Sequence, residues 1–356
     1  MIKVLIVDDS LVVREFLSHT LSQAGIQVIG AVVDGEEAVK FVERTRPDVV
    51  TMDIHMPGMN GIESTRRIME TNPVPIVIVS ANWDPREVEM TFRAMEAGAL
   101  AIVRRPPGVG HPDHETAVQE MIQKIRLMSE VKVVRRWVRV PPKAPAAVVQ
   151  PRVVLPETFR EISVVAIGAS TGGPMALQTI LKGMPADFPA PVLVVQHMAT
   201  GFIPGMLGWL SDTSAMQLGI AKDGETVLPG HVYFAPDGVH MGIESSGKIS
   251  LSSGERENGA RPSVSHLFRS VARAYGRNAA GILLTGMGSD GAQELKMLRV
   301  TGAVTIAQNK ESSAVYGMPA AAVELDAAAY VLAPEQIPAT LAALTRKTDR
   351  GGKQNA

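Results

Sequence analysis

Ser170 stands between glycines, in Gly168-Ala169-Ser170-Thr171-Gly172-Gly173-Pro174, directly after the apolar run Val164-Val165-Ala166-Ile167. A serine hydroxyl becomes a nucleophile once a base takes its proton, and flanking glycines let the chain turn sharply enough to lift it clear of a sheet. A helical pattern follows Pro174, so the free N–H groups of a helix start lie beside the serine as a cradle for an anion. The spacing is that of a nucleophile elbow, and as a short glycine motif it equally fits a phosphate-binding or purely structural turn. Two later segments carry the other chemistry: Gln196-His197-Met198 and Thr285-Gly286-Met287-Gly288-Ser289-Asp290-Gly291. A separate set, Asp8, Asp9, Asp53, Ser80 and Arg105, lies in the first third of the chain.

The elements that must position these groups are short β-type runs alternating with helical patterns, which argues α/β units built on parallel sheets. In such sheets ligands bind beyond the carboxyl ends of the strands. Over residues 1–127 those ends carry Asp8 and Asp9 after Val4–Val7, Asp53 after Val49–Met52, Ser80 after Ile76–Val79, and Arg105 after Leu100–Val103. Three clustered carboxylates repel one another unless a hard cation joins them, and oxygen ligands suit Mg²⁺. Such an ion also neutralises an incoming phosphoryl group and leaves one aspartate to attack it, although any single aspartate here could instead cap a helix.

Over 161–345 the runs Val164–Ile167, Val192–Val195, Gly281–Leu284 and Ala303–Ala307 read as parallel strands, with Val232-Tyr233-Phe234 and Lys248–Leu251 as a hairpin-like insertion. Three strand ends then deliver a serine, a histidine and a carboxylate to one crevice, the makings of a nucleophile, its base and the group that orients the base. His240 and Asp237, which follow the Tyr233-Phe234 run, are the rivals to His197 and Asp290; the strand-end rule favours the latter pair. His231 precedes its strand and His266 falls within a helical pattern.

Composition narrows the classes. The 356 residues suggest two domains, and 35 Lys plus Arg against 36 Asp plus Glu give no sign of a nucleic-acid binder. With no cysteine, disulfides, thiolate metal sites and a thiol nucleophile are excluded. The opening apolar run is broken at once by Asp8 and Asp9 and suits neither a secretory signal nor a membrane span, so a soluble, cytoplasmic protein without membrane insertion is expected. Residues 128–160 read as an interdomain linker: Pro141, Pro142, Pro145, Pro151 and Pro156 exclude a continuous helix, and basic residues keep it solvated or attract an acidic partner. The tail 346–356 is expected to be disordered.

Asp8-Asp9, Met52-Asp53-Ile54-His55-Met56-Pro57-Gly58, Ser80-Ala81 and Arg105-Pro106 resemble the response-regulator receiver domain. The resemblance implies a flavodoxin-like fold over 1–127, Asp53 as phosphoacceptor, Asp8, Asp9 and Asp53 around Mg²⁺, Ser80 as the hydroxyl that senses the phosphoryl group, and a chemotaxis-type histidine kinase as donor. Receivers normally carry lysine where this chain has Arg105, and an aromatic near Ile102.

The Ser170 segment, Val195-Gln196-His197-Met198, Tyr233-Phe234-Ala235-Pro236, Arg261-Pro262-Ser263-Val264, Leu284–Ala292 and Tyr316-Gly317-Met318-Pro319 resemble the chemotaxis protein-glutamate methylesterase family. That resemblance implies a doubly wound catalytic domain over 161–345 with a mainly parallel sheet and no cofactor. It assigns Ser170 as nucleophile, His197 as base, Asp290 as orienting acid, and the Thr171 and Met287 N–H groups as oxyanion donors. Its substrate would be glutamate γ-methyl esters on the cytoplasmic helices of methylated chemoreceptors, with glutamine deamidation as a related activity. Gln308-Asn309 stands where the family more often has Gln-Asp.

Overall fold

The computed structural model describes residues 1–80, 85–131, 133 and 162–345, which fall into two compact units. Most of the proline-rich segment and the tail 346–356, for which the sequence predicts linker and disorder, lie outside the described residues.

The first unit alternates strand and helix: β1 (Lys3–Val7), α1 (Leu11–Gln23), β2 (Gln27–Val32), α2 (Gly35–Arg44), β3 (Val49–Met52), α3 (Gly61–Thr71), β4 (Ile76–Ser80), α4 (Pro85–Ala97), β5 (Ala101–Arg104) and α5 (His114–Ser129). The five strands form one parallel sheet in the order β2-β1-β3-β4-β5, the flavodoxin-like arrangement. β3 and β4 are buried along their whole length, as runs such as Ile76-Val77-Ile78-Val79 require when helices cover both faces of a sheet. The helix starts are written in the side chains: Asp34 accepts from the Glu37 N–H at 2.8 Å to cap α2, and Asn60 accepts from the Glu63 N–H at 3.0 Å to cap α3. The chain leaves β1 toward β2 and returns on the other side at β3, so the crevice between the ends of β1 and β3 is the switch point where a ligand site belongs.

The second unit contains β6 (Val164–Ala169), α6 (Gly173–Lys182), β7 (Val192–Gln196), α7 (Phe202–Ser211), β8 (Gln217–Ile220), β9 (His231–Phe234), β10 (His240–Ile243), β11 (Ile249–Ser252), α8 (Val264–Tyr275), β12 (Ala279–Leu283), α9 (Ala292–Val300), β13 (Val304–Gln308), α10 (Met318–Glu324), β14 (Tyr330–Leu332) and α11 (Ile337–Thr345). Seven strands pair in parallel in the order β14-β13-β12-β6-β7-β9-β8. β6, β7, β12 and β13 are buried throughout, and one face packs Val164, Leu193 and Leu283 against Leu267, Phe268 and Val271 of α8 and Leu295 and Leu298 of α9. Here the switch point lies between β6 and β12.

The hairpin expected from Val232–Phe234 and Lys248–Leu251 is different. Val232–Phe234 belongs to β9, a parallel strand of the main sheet paired with β7 and β8, while β11 pairs antiparallel with β10. A short apolar run reads the same in a core strand and in a hairpin strand, and its neighbours decide which it becomes.

Candidate active site

The end of β6 is built to hold a sharp turn. Ser170 N donates to Thr285 O at 3.0 Å, and Ser170 O accepts from Gly173 N at 2.8 Å, closing a four-residue turn whose third residue, Gly172, has φ 80° and ψ −7°. That is the left-handed position of a type II turn, which glycine adopts without strain. A Cβ on Gly286 would lie 2.5 Å from Ser170 Cβ, so the loop after β12 can press against the serine only because residue 286 has no side chain. The same loop is sewn to the start of α10, since Gly317 N and Met318 N both donate to Gly286 O, at 3.1 and 2.9 Å. Those bonds hold Met287 in place. Among the described residues, the N–H groups of Thr171 and Met287 donate to no backbone acceptor.

His197 follows β7, the strand next to β6, and its N–H extends the pairing by donating to Ala169 O at 2.9 Å. Between the two loops sits Gln196, 3% exposed, whose Nε2 donates to both Ser170 O and His197 O at 2.8 Å. One buried amide thus ties the serine turn to the histidine loop. His197 Nε2 lies 3.0 Å from Asp290 Oδ2, with the ring turned so that the contact is an ion-pair approach and not an aligned hydrogen bond. Such alignments commonly tighten only when substrate is bound.

Asp290 is 4% exposed and heavily bonded. Oδ1 accepts from Ser263 Oγ at 2.8 Å, Asn258 Nδ2 at 2.9 Å and Ser265 N at 3.1 Å; Oδ2 accepts from Val264 N at 2.7 Å. Ser263 is the N-cap of α8, and Val264 and Ser265 are its first residues, so the carboxylate rests on a helix N-terminus, where negative charge is favoured. Burial by itself would push this carboxyl up, but the His197 contact and the hydrogen bonds from Asn258 and Ser265 hold it well below the usual carboxylate range.

The rival groups are committed elsewhere. His240 Nε2 donates to Glu255 O at 2.8 Å while its Nδ1 accepts from Ser263 N at 3.3 Å, and Asp237 accepts from Gly201 N at 2.7 Å. His266 pairs with Glu257 at 3.0 Å, and His231 Nδ1 lies 2.9 Å from Pro229 O. His240, Glu257 and His266 offer ligand atoms within 4.8 Å of one another, yet both His240 nitrogens are occupied and Arg269 lies 2.7 Å from Glu257, so this cluster does not fit a cation.

In the first unit, Asp8 closes β1 and Asp53 closes β3, with Asp53 N donating to Val7 O at 2.9 Å. Ligand oxygens of Asp8, Asp9 and Asp53 lie within 4.8 Å of one another. Burial, reinforced by the charges of Asp8 and Asp9, pushes the Asp53 carboxyl up to about 6; burial also raises Asp8, although the Ser10 N–H and Arg105 oppose it. Two buried carboxyls raised in this way, with a third acid beside them, are a site whose charge a divalent cation relieves. Ser80 ends β4 and is 7% exposed, and Arg105 N donates to Ser80 O at 2.8 Å, so both residues predicted from the strand ends reach the same edge.

Sequence pattern alone assigns no role to Asn258, Ser263, Ser265 or the clamp formed by Gln196. Only the Asn258-Gly259 dipeptide, a strong turn signal, carries a local hint, and it says nothing of what the asparagine touches.

Comparison with known proteins agrees with this architecture. Residues 4–109 match the response regulator receiver domain and residues 165–341 match the CheB methylesterase. The chain is 54% identical over 345 residues to protein-glutamate methylesterase/protein-glutamine glutaminase 1 of Syntrophus aciditrophicus, covering 97% of this chain and 98% of that protein. It is 55% identical over 346 residues to the corresponding protein 4 of Geobacter metallireducens, covering 97% and 99%. The crystal structure of the Thermotoga maritima CheB methylesterase catalytic domain superposes with a TM-score of 0.50 at 39% identity, over 51% of this chain and 98% of that one. With a receiver sheet followed by this seven-stranded catalytic unit, the chain belongs to the CheB family of protein-glutamate methylesterases/protein-glutamine glutaminases.

Proposed function

We propose that Ser170, His197 and Asp290 hydrolyse glutamate γ-methyl esters on the cytoplasmic helices of chemoreceptors, under control of phosphorylation at Asp53. The observation that carries this reading is the His197–Asp290 contact of 3.0 Å beside a serine turn clamped to the histidine loop by Gln196. His197 Nδ1 takes the Ser170 proton as Oγ attacks the ester carbonyl carbon. The displaced electron pair moves to the carbonyl oxygen, where the Thr171 and Met287 N–H groups receive it, each such donor being worth about 3 kcal/mol. Collapse breaks the C–O bond, methoxide takes the proton from His197 and leaves as methanol. Water, deprotonated by the same nitrogen, then releases glutamate and restores Ser170. With a glutamine side chain the leaving group is ammonia and the steps are otherwise the same.

In the receiver, residues 1–127, Asp8, Asp9 and Asp53 would hold Mg²⁺, which when bound neutralises phosphoryl oxygens. Asp53 attacks the phosphoryl group of a chemotaxis-type histidine kinase, and Ser80 and Arg105 face the product. Residues 128–160 tether this unit to the catalytic unit, residues 161–345. No helix among the described residues is long and apolar enough to cross a membrane; the cytoplasm is where this reading places the enzyme, because its substrate is the receptor's cytoplasmic portion.

The test is methanol release from methylated receptor fragments, with and without a phosphoryl donor. Ser170→Ala and His197→Ala should each cost on the order of 10⁶ in rate, because nucleophile and base act as one unit. Asp290→Asn should be milder. A Ser170→Ala protein releasing methanol at near the wild-type rate would sink the triad.

A further inference from the structure

Between β11 and α8 the chain makes a two-residue hairpin. Glu257 and Ala260 exchange both backbone hydrogen bonds, at 3.1 and 2.9 Å, and the two tip residues, Asn258 and Gly259, have φ of 50° and 77°. A turn with both central residues left-handed is of the I′ kind, where glycine would serve at either position and asparagine is among the few other residues tolerated. The turn alone therefore does not require a side chain at 258. Yet the Asn258 amide spends both hydrogens inward, on Asp290 Oδ1 at 2.9 Å and on Ser265 Oγ at 3.0 Å.

We propose that Asn258 is a positioning residue for the reaction: from the hairpin tip its amide loads Asp290 Oδ1, which fixes the carboxylate so that Oδ2 meets His197. The inference rests on the triad reading above. Every other donor to Asp290 apart from His197 comes from the N-cap and first residues of α8 and is anchored by that helix. Asn258 alone reaches the carboxylate from an exposed loop. Its stem is pinned by Glu257, which pairs with Arg269 at 2.7 Å and with His266 at 3.0 Å.

The charged and titratable groups around Asp290 are His197 after β7, Glu294 on α9, Arg269 and His266 on α8, Glu257 on the hairpin and His240 on β10. Arg269 bridges Glu257 and Glu294, so both acids face a shared cation and not Asp290 alone. Ser265 Oγ donates to Glu294 at 2.6 Å and accepts from Gly291 N at 3.0 Å, so it stays in place when the asparagine is removed.

Asn258→Gly keeps the turn and removes the donor; Asn258→Asp keeps the size and sets a second carboxylate against Oδ1. In the full-length protein, Asn258→Gly should lower kcat for methanol release roughly tenfold to a hundredfold, the range of a lost hydrogen bond to a charged group, with KM for the receptor fragment within about twofold. An acid with fewer donors holds the imidazolium more strongly. The acid limb of kcat/KM should therefore move to higher pH, by about half a unit in Asn258→Gly and by about a unit or more in Asn258→Asp. The downfield imidazole N–H resonance of His197 should shift in both variants. A role confined to shaping the loop would alter thermal stability and leave the pH profile where it is. Coincident acid limbs in wild type and both variants would overturn the proposal. Ser170→Ala, run alongside, separates the failures: if it is inactive and the limbs coincide, only the role of Asn258 falls; if it retains activity, the triad itself falls.

Discussion

Asp53→Asn should make the receiver sheet more stable when metal is absent. The Asp53 carboxyl is raised from 3.8 to about 6, first by burial and then by the charges of Asp8 and Asp9. Moving a titration midpoint by one pH unit corresponds to about 1.4 kcal/mol, so the ionised group costs the fold on the order of 3 kcal/mol above pH 7. Folded, the group holds its proton up to about pH 6; unfolded, only up to about 3.8. The folded state therefore binds the extra proton between those values, and stability rises as pH falls through that window. Asparagine keeps the acceptor for the Ile54 N–H, which Asp53 Oδ1 meets at 2.8 Å, and removes the charge. Hydrogen exchange of the β1 and β3 amides in the full chain, in EDTA at pH 7.5, reads this directly. The variant should exchange about a hundredfold more slowly than wild type, the gap should narrow as the pH falls below about 6 and close near about pH 4, and Mg²⁺ should slow exchange in wild type far more than in the variant. Exchange equal to or faster than wild type at pH 7.5 would refute the view that Asp53 is held as a strained anion.

Two further perturbations follow from the geometry. Gln196→Met should leave His197 O without its Gln196 donor, while Ser170 O keeps its bond from Gly173 N, costing about 1–3 kcal/mol by chemical denaturation, and should lower kcat on the order of a hundredfold as the serine and histidine loops drift apart; unchanged kcat would show that the clamp is dispensable. Arg105→Lys should leave phosphorylation of Asp53 similar and strengthen activation of methanol release, because a compact ammonium approaches phosphoryl oxygens as a point charge where a guanidinium prefers a forked contact. Unchanged activation would show that the arginine substitutes fully.

The strand-end residues were legible because their signal is local. An apolar run that breaks into polar residues marks where a parallel strand hands over to its helix, and Ser170, His197, Asp290, Asp8, Asp53 and Ser80 all follow such runs, with glycines beside Ser170 and Asp290 as a further mark. The short edge strands β8 and β14 and the pairing of β9 carry no such mark, since three or four residues of β propensity do not say which neighbour they will meet. What surrounds Asp290 was equally hidden: Asn258 lies 32 residues away in sequence and Ser263 lies 27 away, and their convergence is a product of how α8 packs on the sheet.

The order of the seven strands also dictates when the catalytic crevice can exist during synthesis. β6 and β7 are made early and can pair at once, but the other edge of β6 is filled by β12, which begins only at Ala279. Until then the ribosome-bound chain carries a central, wholly apolar strand with one side unpaired, a slow non-local closure and a template for wrong partners. The serine turn is completed later still, because Thr285 O, which receives the Ser170 N–H, belongs to a loop held by Val315, Gly317 and Met318. Esterase activity is thus a property the nascent chain acquires only once α10 has been made, and truncation between β13 and α10 should leave the receiver and the catalytic strands up to β13 with no working site.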